Sequence, residues 1–155
     1  MTTYTVANDD SVEINLFFRG TPVSQNAAAA FQNLLASVTT ERELTADEVT
    51  ALEQIFGNAG KNQYTMQPYM GRTPVPAFNL SSAKVTKLNG VGVALVWGNF
   101  QNAERVAGKE FYGLFVADPR SPAMIYELFY QADDKIKFLC YLNDFEAALH
   151  SIKWM

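Results

Sequence analysis

The sequence predicts an α+β protein in which helices pack on an antiparallel sheet of five or six strands. Two stretches in the first half repeat apolar residues at helical spacing,. Most of the second half alternates apolar and polar residues as strands do, and the chain closes with a long helical stripe. No linker-like composition divides the 155 residues, and this length suits one domain. We therefore expect a single domain over 1–155.

The chain opens with strand signals. Residues 11–19 alternate with period two, which predicts a strand with one buried face,. The apolar side chains on that face are Val12, Ile14, Leu16 and Phe18. Tyr4 and Val6 indicate a short strand before it.

Residues 25–38 change to helical spacing, with Ser24 at the N-cap position,. Residues 45–56 form a second predicted helix, because Thr45 and Glu48 have the spacing of a capping box,. Gly57 then fits the position where a helix ends on a left-handed residue,. We expect both helices to cover one face or one end of the sheet.

The second half predicts a four-stranded antiparallel meander. Asn89-Gly90 is the sequence of a two-residue hairpin turn, whose central residues need positive φ,. The predicted strands cover residues 83–88, 91–99, 110–117 and 124–131. Within the second of these, Gly92, Ala94 and Gly98 leave one face flat enough for a helix to pack on it,.

The last predicted element is a helix that starts at Asp133 or Asp134,. Its apolar residues recur at alternating spacings of four and three, which predicts a continuous buried stripe. They are Phe138, Leu142, Phe145, Leu149 and Ile152. We expect this helix to pack across the sheet.

Composition excludes several classes of protein. With 48% hydrophobic and 13% aromatic residues the chain can bury enough surface to fold,. One cysteine and one histidine cannot make an internal disulfide or a zinc site built from those ligands. The net charge is -4 and basic residues are scattered, so we expect no nucleic-acid partner. No apolar run suits a membrane span or a signal peptide, which predicts a cytoplasmic protein without membrane association.

Catalytic sets are hard to assemble from these residues. Cys140 and His150 fall ten residues apart on the last predicted helix, about 15 Å at 1.5 Å per residue, so they cannot cooperate there. The glycines in residues 57–62 lack the spacing of a phosphate loop,. Asp47-Glu48 and Asp133-Asp134 lie where helices begin and negative charge is stabilising,. We predict no catalytic, cofactor or metal site and favour a protein that is not an enzyme.

Residues 58–80 show no period and are rich in residue types found at interface cores,. The predicted partner-binding residues are Tyr64, Met66, Tyr69, Met70, Arg72 and Phe78. Methionine adapts to varied surfaces, and tyrosine combines an apolar body with a polar tip. An equally open alternative is that these side chains fold back over one end of the sheet.

The C-terminal third resembles the closing segment of the PsbP-like superfamily, which includes photosystem proteins, lipoproteins, Ran-binding members and secretion-effector chaperones. The residues that carry the resemblance are Gly108-Lys109-Glu110-Phe111-Tyr112-Gly113-Leu114-Phe115, Tyr126-Glu127-Leu128-Phe129-Tyr130, the helical Phe138, Tyr141 and Phe145, and Ser151-Ile152-Lys153-Trp154. Residues 20–60 depart from it, because two consecutive helices are not expected there. The resemblance implies an α/β/α sandwich and a protein that binds rather than catalyses.

The favoured hypothesis is a non-catalytic protein-binding module, such as an adaptor, chaperone or immunity-type partner, that needs no cofactor. The alternative is a small-ligand-binding protein or small enzyme, with a pocket between helices and sheet where His150 or a carboxylate acts,. A third hypothesis is a homo-oligomer joined through sheet edges.

Overall fold

The computed structural model describes residues 2–64, 78–100, 110–118, 120–121, 123–132 and 134–154. The strands are β1 (Thr2–Val6), β2 (Asp9–Pro22), β3 (Arg42–Glu43), β4 (Phe78–Leu88), β5 (Val91–Phe100), β6 (Glu110–Ala117) and β7 (Met124–Ala132). The helices are α1 (Gln25–Ala36), α2 (Ala46–Tyr64) and α3 (Lys135–His150).

All strand pairs are antiparallel, and they form one seven-stranded sheet in the order β1-β2-β7-β6-β5-β4-β3. The predicted α+β class and the meander from β4 to β7 are confirmed. The sheet has seven strands instead of the predicted five or six, because β3 adds a strand at its edge. This strand pairs with β4 through only two residues. An element that short leaves no alternation to read in the sequence.

The sheet separates two hydrophobic cores. On the face that we call the α1/α2 face, helices α1 and α2 pack with Phe111, Phe115 and Phe129. On the opposite face, called the α3 face, helix α3 packs on Tyr112 and Tyr130. Helices therefore lie on both sides of the sheet, and strand alternation assigns each side chain to its core.

The predicted flat face of β5 lies against α1. A Cβ atom added at Gly92 would lie 2.8 Å from the carbonyl oxygen of Leu35, so the missing side chain allows the helix to approach this closely. The β4–β5 turn is also confirmed, since Asn89 and Gly90 have φ values of 48° and 89°,. Ser24 caps α1 by accepting a hydrogen bond from the Ala27 amide at 3.3 Å.

Helix α2 begins as predicted and ends later. The Thr45 amide donates to the Glu48 carboxylate at 2.9 Å, and the Glu48 amide donates to the Thr45 hydroxyl at 3.3 Å. The prediction that Gly57 ends the helix is wrong, because α2 continues to Tyr64. Glycine inside a helix costs only about 1 kcal/mol relative to alanine, and α2 is held by contacts with β4 and β2.

Candidate binding surfaces on the α3 face

The predicted partner-binding residues do not form one irregular loop. Residues 58–64 are helical and residues 78–80 belong to β4, so the predicted bounds 58–80 are wrong. Tyr64 is the last residue of α2 and Phe78 the first of β4. The other four, Met66, Tyr69, Met70 and Arg72, lie outside the described residues.

The start of α3 is attached to the β2–β7 side of the sheet. Asp134 is its N-cap and accepts a hydrogen bond from the Lys137 amide at 2.9 Å. The Lys137 ammonium lies 2.9 Å from the Asp9 carboxylate and lowers the pKa of Asp9, after the larger effect of the Ser11 hydroxyl. The buried Tyr130 hydroxyl donates to the Phe138 carbonyl at 2.8 Å. Burial raises the pKa of Tyr130 to about 12, so it remains a donor at neutral pH.

The end of α3 is attached to the β4–β5 hairpin. The Asn89 side-chain amide donates to the carbonyl of His150 at 3.1 Å and also to that of Ile152. The Trp154 indole donates to the Leu88 carbonyl at 2.7 Å. The bond to His150 satisfies one of the carbonyls that a helix end leaves without partners. Together these bonds show that α3 crosses the sheet, as predicted.

The solvent side of α3 carries apolar and small side chains instead of a purely polar surface. Ile136 is 77% exposed and Leu139 is 51% exposed. Cys140, Asn143 and Ala147 are also exposed along this side. We call these five residues the outer α3 surface. The opposite side of the helix buries Phe138, Phe145 and Leu149, so apolar residues occur on both sides of α3.

A cleft of about 200 Å³ lies between the C-terminal half of α3 and strands β4–β6. Its polar lining groups are Glu41, Lys84, Tyr112, Glu146 and His150, and its apolar ones are Leu88, Leu95 and Leu149. Its volume is below the roughly 300–1,000 Å³ of typical ligand pockets. The cleft therefore suits only a small ligand.

Tyr112 is the most unusual group in this cleft. The residue is only 4% exposed, and its hydroxyl has no hydrogen bond of acceptable geometry among the described residues. Burial, then the negative charge of Glu146 and the closeness of its carboxylate to the hydroxyl, raise the pKa of Tyr112 well above its ordinary value. The Glu146 carboxylate is thus the neighbouring acceptor, although the two groups form no hydrogen bond. Buried polar groups normally have a partner, and the neutral hydroxyl can still accept one.

The charges around the cleft are unequal. Lys84 lies 3.4 Å from the Glu41 carboxylate. Among the described residues no ion pair reaches Glu146, although its carboxylate is close enough to influence Tyr112. Glu41 and Glu43 add further negative potential at the Tyr112 hydroxyl. The cleft therefore attracts a positively charged group.

The predicted separation of Cys140 and His150 is confirmed, since α3 is continuous and both residues are exposed on it. No group of three or more metal-ligating side chains occurs within the described ranges. No helix in the part of the chain that the structure describes is long and apolar enough to cross a membrane.

Sequence reasoning identified His150 and missed the other polar groups of the cleft. Lys84 alternates with the buried Ala83 and Val85, which is typical of a solvent-facing position. Tyr112 occupies a strand position that core packing alone would explain. The polar tip of tyrosine was the one available signal, and it does not say whether the hydroxyl finds a partner.

Comparison of the chain with protein-family models, with curated proteins and with solved structures found no match. The resemblance to the PsbP-like superfamily stays a prediction.

Proposed function

We propose that this chain is a non-catalytic protein-binding module that uses the outer α3 surface to contact a partner protein. The observation that carries the proposal is the exposure of Ile136 and Leu139, at 77% and 51%, on one side of a helix whose other side is buried. Large apolar residues that lie together on an exposed surface mark sites of protein–protein contact.

The shape of this surface supports a helix as the partner element. Beyond Ile136 and Leu139, the exposed Cys140 and Ala147 are small, and Asn143 lies between them. Small side chains allow a second helix to lie close, and the two large apolar residues can then insert between its side chains. Such a partner would present an amphipathic helix, as in helix-in-groove recognition.

The predicted loop residues extend this proposal. Tyr64 and Phe78 end and begin the elements on either side of residues 65–77. We keep Tyr69 and Arg72 as a second contact region, tested by alanine substitution at both. We also propose the cytoplasm as the compartment, because an exposed thiol at Cys140 persists best in a reducing environment.

The test is an affinity capture from the source cell, followed by calorimetry with each purified candidate partner. Wild type is compared with the double variant Ile136→Ser/Leu139→Ser. We expect the double variant to lose at least tenfold in affinity, because central apolar contacts dominate interface energies.

The matched control is Tyr4→Ser, which removes another exposed large apolar side chain, 56% exposed on β1. It should leave the affinity unchanged. Equal affinity of wild type and the Ile136/Leu139 variant would contradict the proposal. Light scattering on the same samples tests the homo-oligomer hypothesis, and a dimer lost in Tyr4→Ser would support association through the sheet edge.

A further inference from the structure

We propose that the cleft between α3 and strands β4–β6 binds a small organic cation, a primary ammonium group on a short apolar body. This inference is independent of the outer α3 surface, because the α3 residues that line the cleft are Glu146, Leu149 and His150, none of which belongs to that surface. It concerns Tyr112, whose hydroxyl forms no hydrogen bond within the described ranges, and the neighbouring carboxylate of Glu146, which has no ion pair there.

The polar end of the ligand is defined by Tyr112 and Glu146. The Tyr112 hydroxyl is buried without a hydrogen-bond partner among the described residues. A buried hydroxyl in that state costs free energy, which a ligand can recover by supplying the partner. The Glu146 carboxylate accepts hydrogen bonds only. An ammonium group, with three donors, can serve the hydroxyl oxygen and the carboxylate together.

The sign of the charge follows from the groups around the cleft. Two carboxylates, Glu41 and Glu146, face one ammonium, that of Lys84. Lys84 is already paired with Glu41 at 3.4 Å. An anionic ligand would meet the carboxylate of Glu146, whereas a cation would neutralise it.

The body of the ligand is defined by Leu88, Leu95 and Leu149, which supply the apolar lining. The cleft volume of about 200 Å³ is several times the roughly 30 Å³ that one water molecule occupies in the liquid. A short alkyl chain fits this space, and a nucleotide or drug-sized ligand does not.

The experiment is a methyl-NMR titration of the full chain with three probes of similar shape. These are n-butylammonium, butanol and butyrate. We expect saturable shifts at the methyl groups of Leu95 and Leu149 with n-butylammonium alone. Equal response to butanol or butyrate, or no saturable response to any probe, would overturn the proposal.

Variants then assign the contacts. Glu146→Gln should weaken n-butylammonium binding by about tenfold, the size of a lost hydrogen bond to a charged group. Asp144→Asn removes an exposed carboxylate from the same helix and should bind as wild type does. Equal weakening in both variants would show general charge attraction and would contradict the assigned site. Thermal unfolding of each variant confirms that it is folded.

The alternative to an external cation is Lys84, whose ammonium can move from Glu41 to Glu146 and neutralise it. Lys84→Met should bind n-butylammonium more tightly than wild type, since it removes an internal competitor. If only Lys84→Met binds the probe and wild type does not, the chain supplies its own cation, and the proposal of an external ligand is overturned.

Discussion

The two faces of the sheet are packed by different chemistry. The α1/α2 face is covered by two helices, and phenylalanines fill its centre, with Phe129 in edge-to-face contact with Phe111 and Phe115 at 5.2 and 5.3 Å. The α3 face is covered by one helix, and its central aromatic residues are Tyr112 and Tyr130. The cleft lies beside the last turns of α3, at Glu146, Leu149 and His150.

The difference between the faces suggests a division of roles. The α1/α2 face is mainly apolar but also buries two polar side chains, Glu127 and Gln131. They lie opposite Phe115 and Phe111 in the β6–β7 pairing. A face built from tyrosines has polar tips that must each find a partner. The Tyr130 hydroxyl bonds to a carbonyl of α3, whereas the Tyr112 hydroxyl forms no hydrogen bond within the described residues. Tyr130 is therefore a structural residue, and Tyr112 is a candidate ligand-binding residue.

The largest expected effect on stability comes from a substitution on the α1/α2 face. Phe129→Ala should lower the free energy of unfolding by about 3–5 kcal/mol, because it removes a fully buried ring and leaves a cavity,. The control is Leu128→Ala, the neighbouring residue on the α3 face, which is only partly buried. Urea unfolding followed by circular dichroism measures both. A larger loss for Leu128→Ala would contradict the assignment of the main core to the α1/α2 face.

A smaller effect on stability is expected from removing the hydroxyl group of Tyr130 or Tyr112. Tyr130→Phe removes the bond to the Phe138 carbonyl and should cost about 1 kcal/mol of unfolding free energy. Tyr112→Phe removes a hydroxyl without a partner among the described residues, so it should cost nothing or stabilise the protein. Denaturant midpoints of the two variants, measured without added amine, decide the matter. Equal losses would mean that Tyr112 has a partner after all.

The smallest expected effect concerns acid stability at the edge of the α1/α2 face. The Arg42 guanidinium, and then the Thr45 amide, lower the pKa of Glu48 to about 2 from an ordinary 4.5. The folded form thus keeps the carboxylate charged where the unfolded chain protonates it. This stabilisation is present above pH 4.5 and lost as the pH falls toward 2,.

In a pH series of urea unfolding, Glu48→Gln should lose less stability than wild type over that window. The difference should be modest, since the Arg42 and Glu48 side chains are 44% and 33% exposed and solvent screens such pairs. Identical pH profiles would show that the Arg42–Glu48 interaction does not contribute to the stability of the folded protein.

Much of the fold was predictable because its signals are local. Alternation placed Phe111 and Phe115 opposite Tyr112, the Asn89-Gly90 turn set the β4–β5 register, and Thr45 with Glu48 marked the start of α2. The end of α2 was wrong, because a glycine stop signal was outweighed by packing. Of the site, the continuity of α3, the isolation of Cys140 from His150 and the place of His150 beside a pocket between helix and sheet could be predicted.

The α+β class, the order of the longer elements and the faces of the meander strands followed from the sequence, because periodicity and turn chemistry depend only on neighbours along the chain. Tertiary structure alone decided that α3 crosses from the β2–β7 side to the β4–β5 hairpin, leaving Ile136 and Leu139 exposed. It also brought Tyr112, Lys84 and Glu146, which lie far apart in sequence, into one cleft. Whether a buried hydroxyl finds a partner depends on the three-dimensional position of every neighbour, and no local pattern encodes that position.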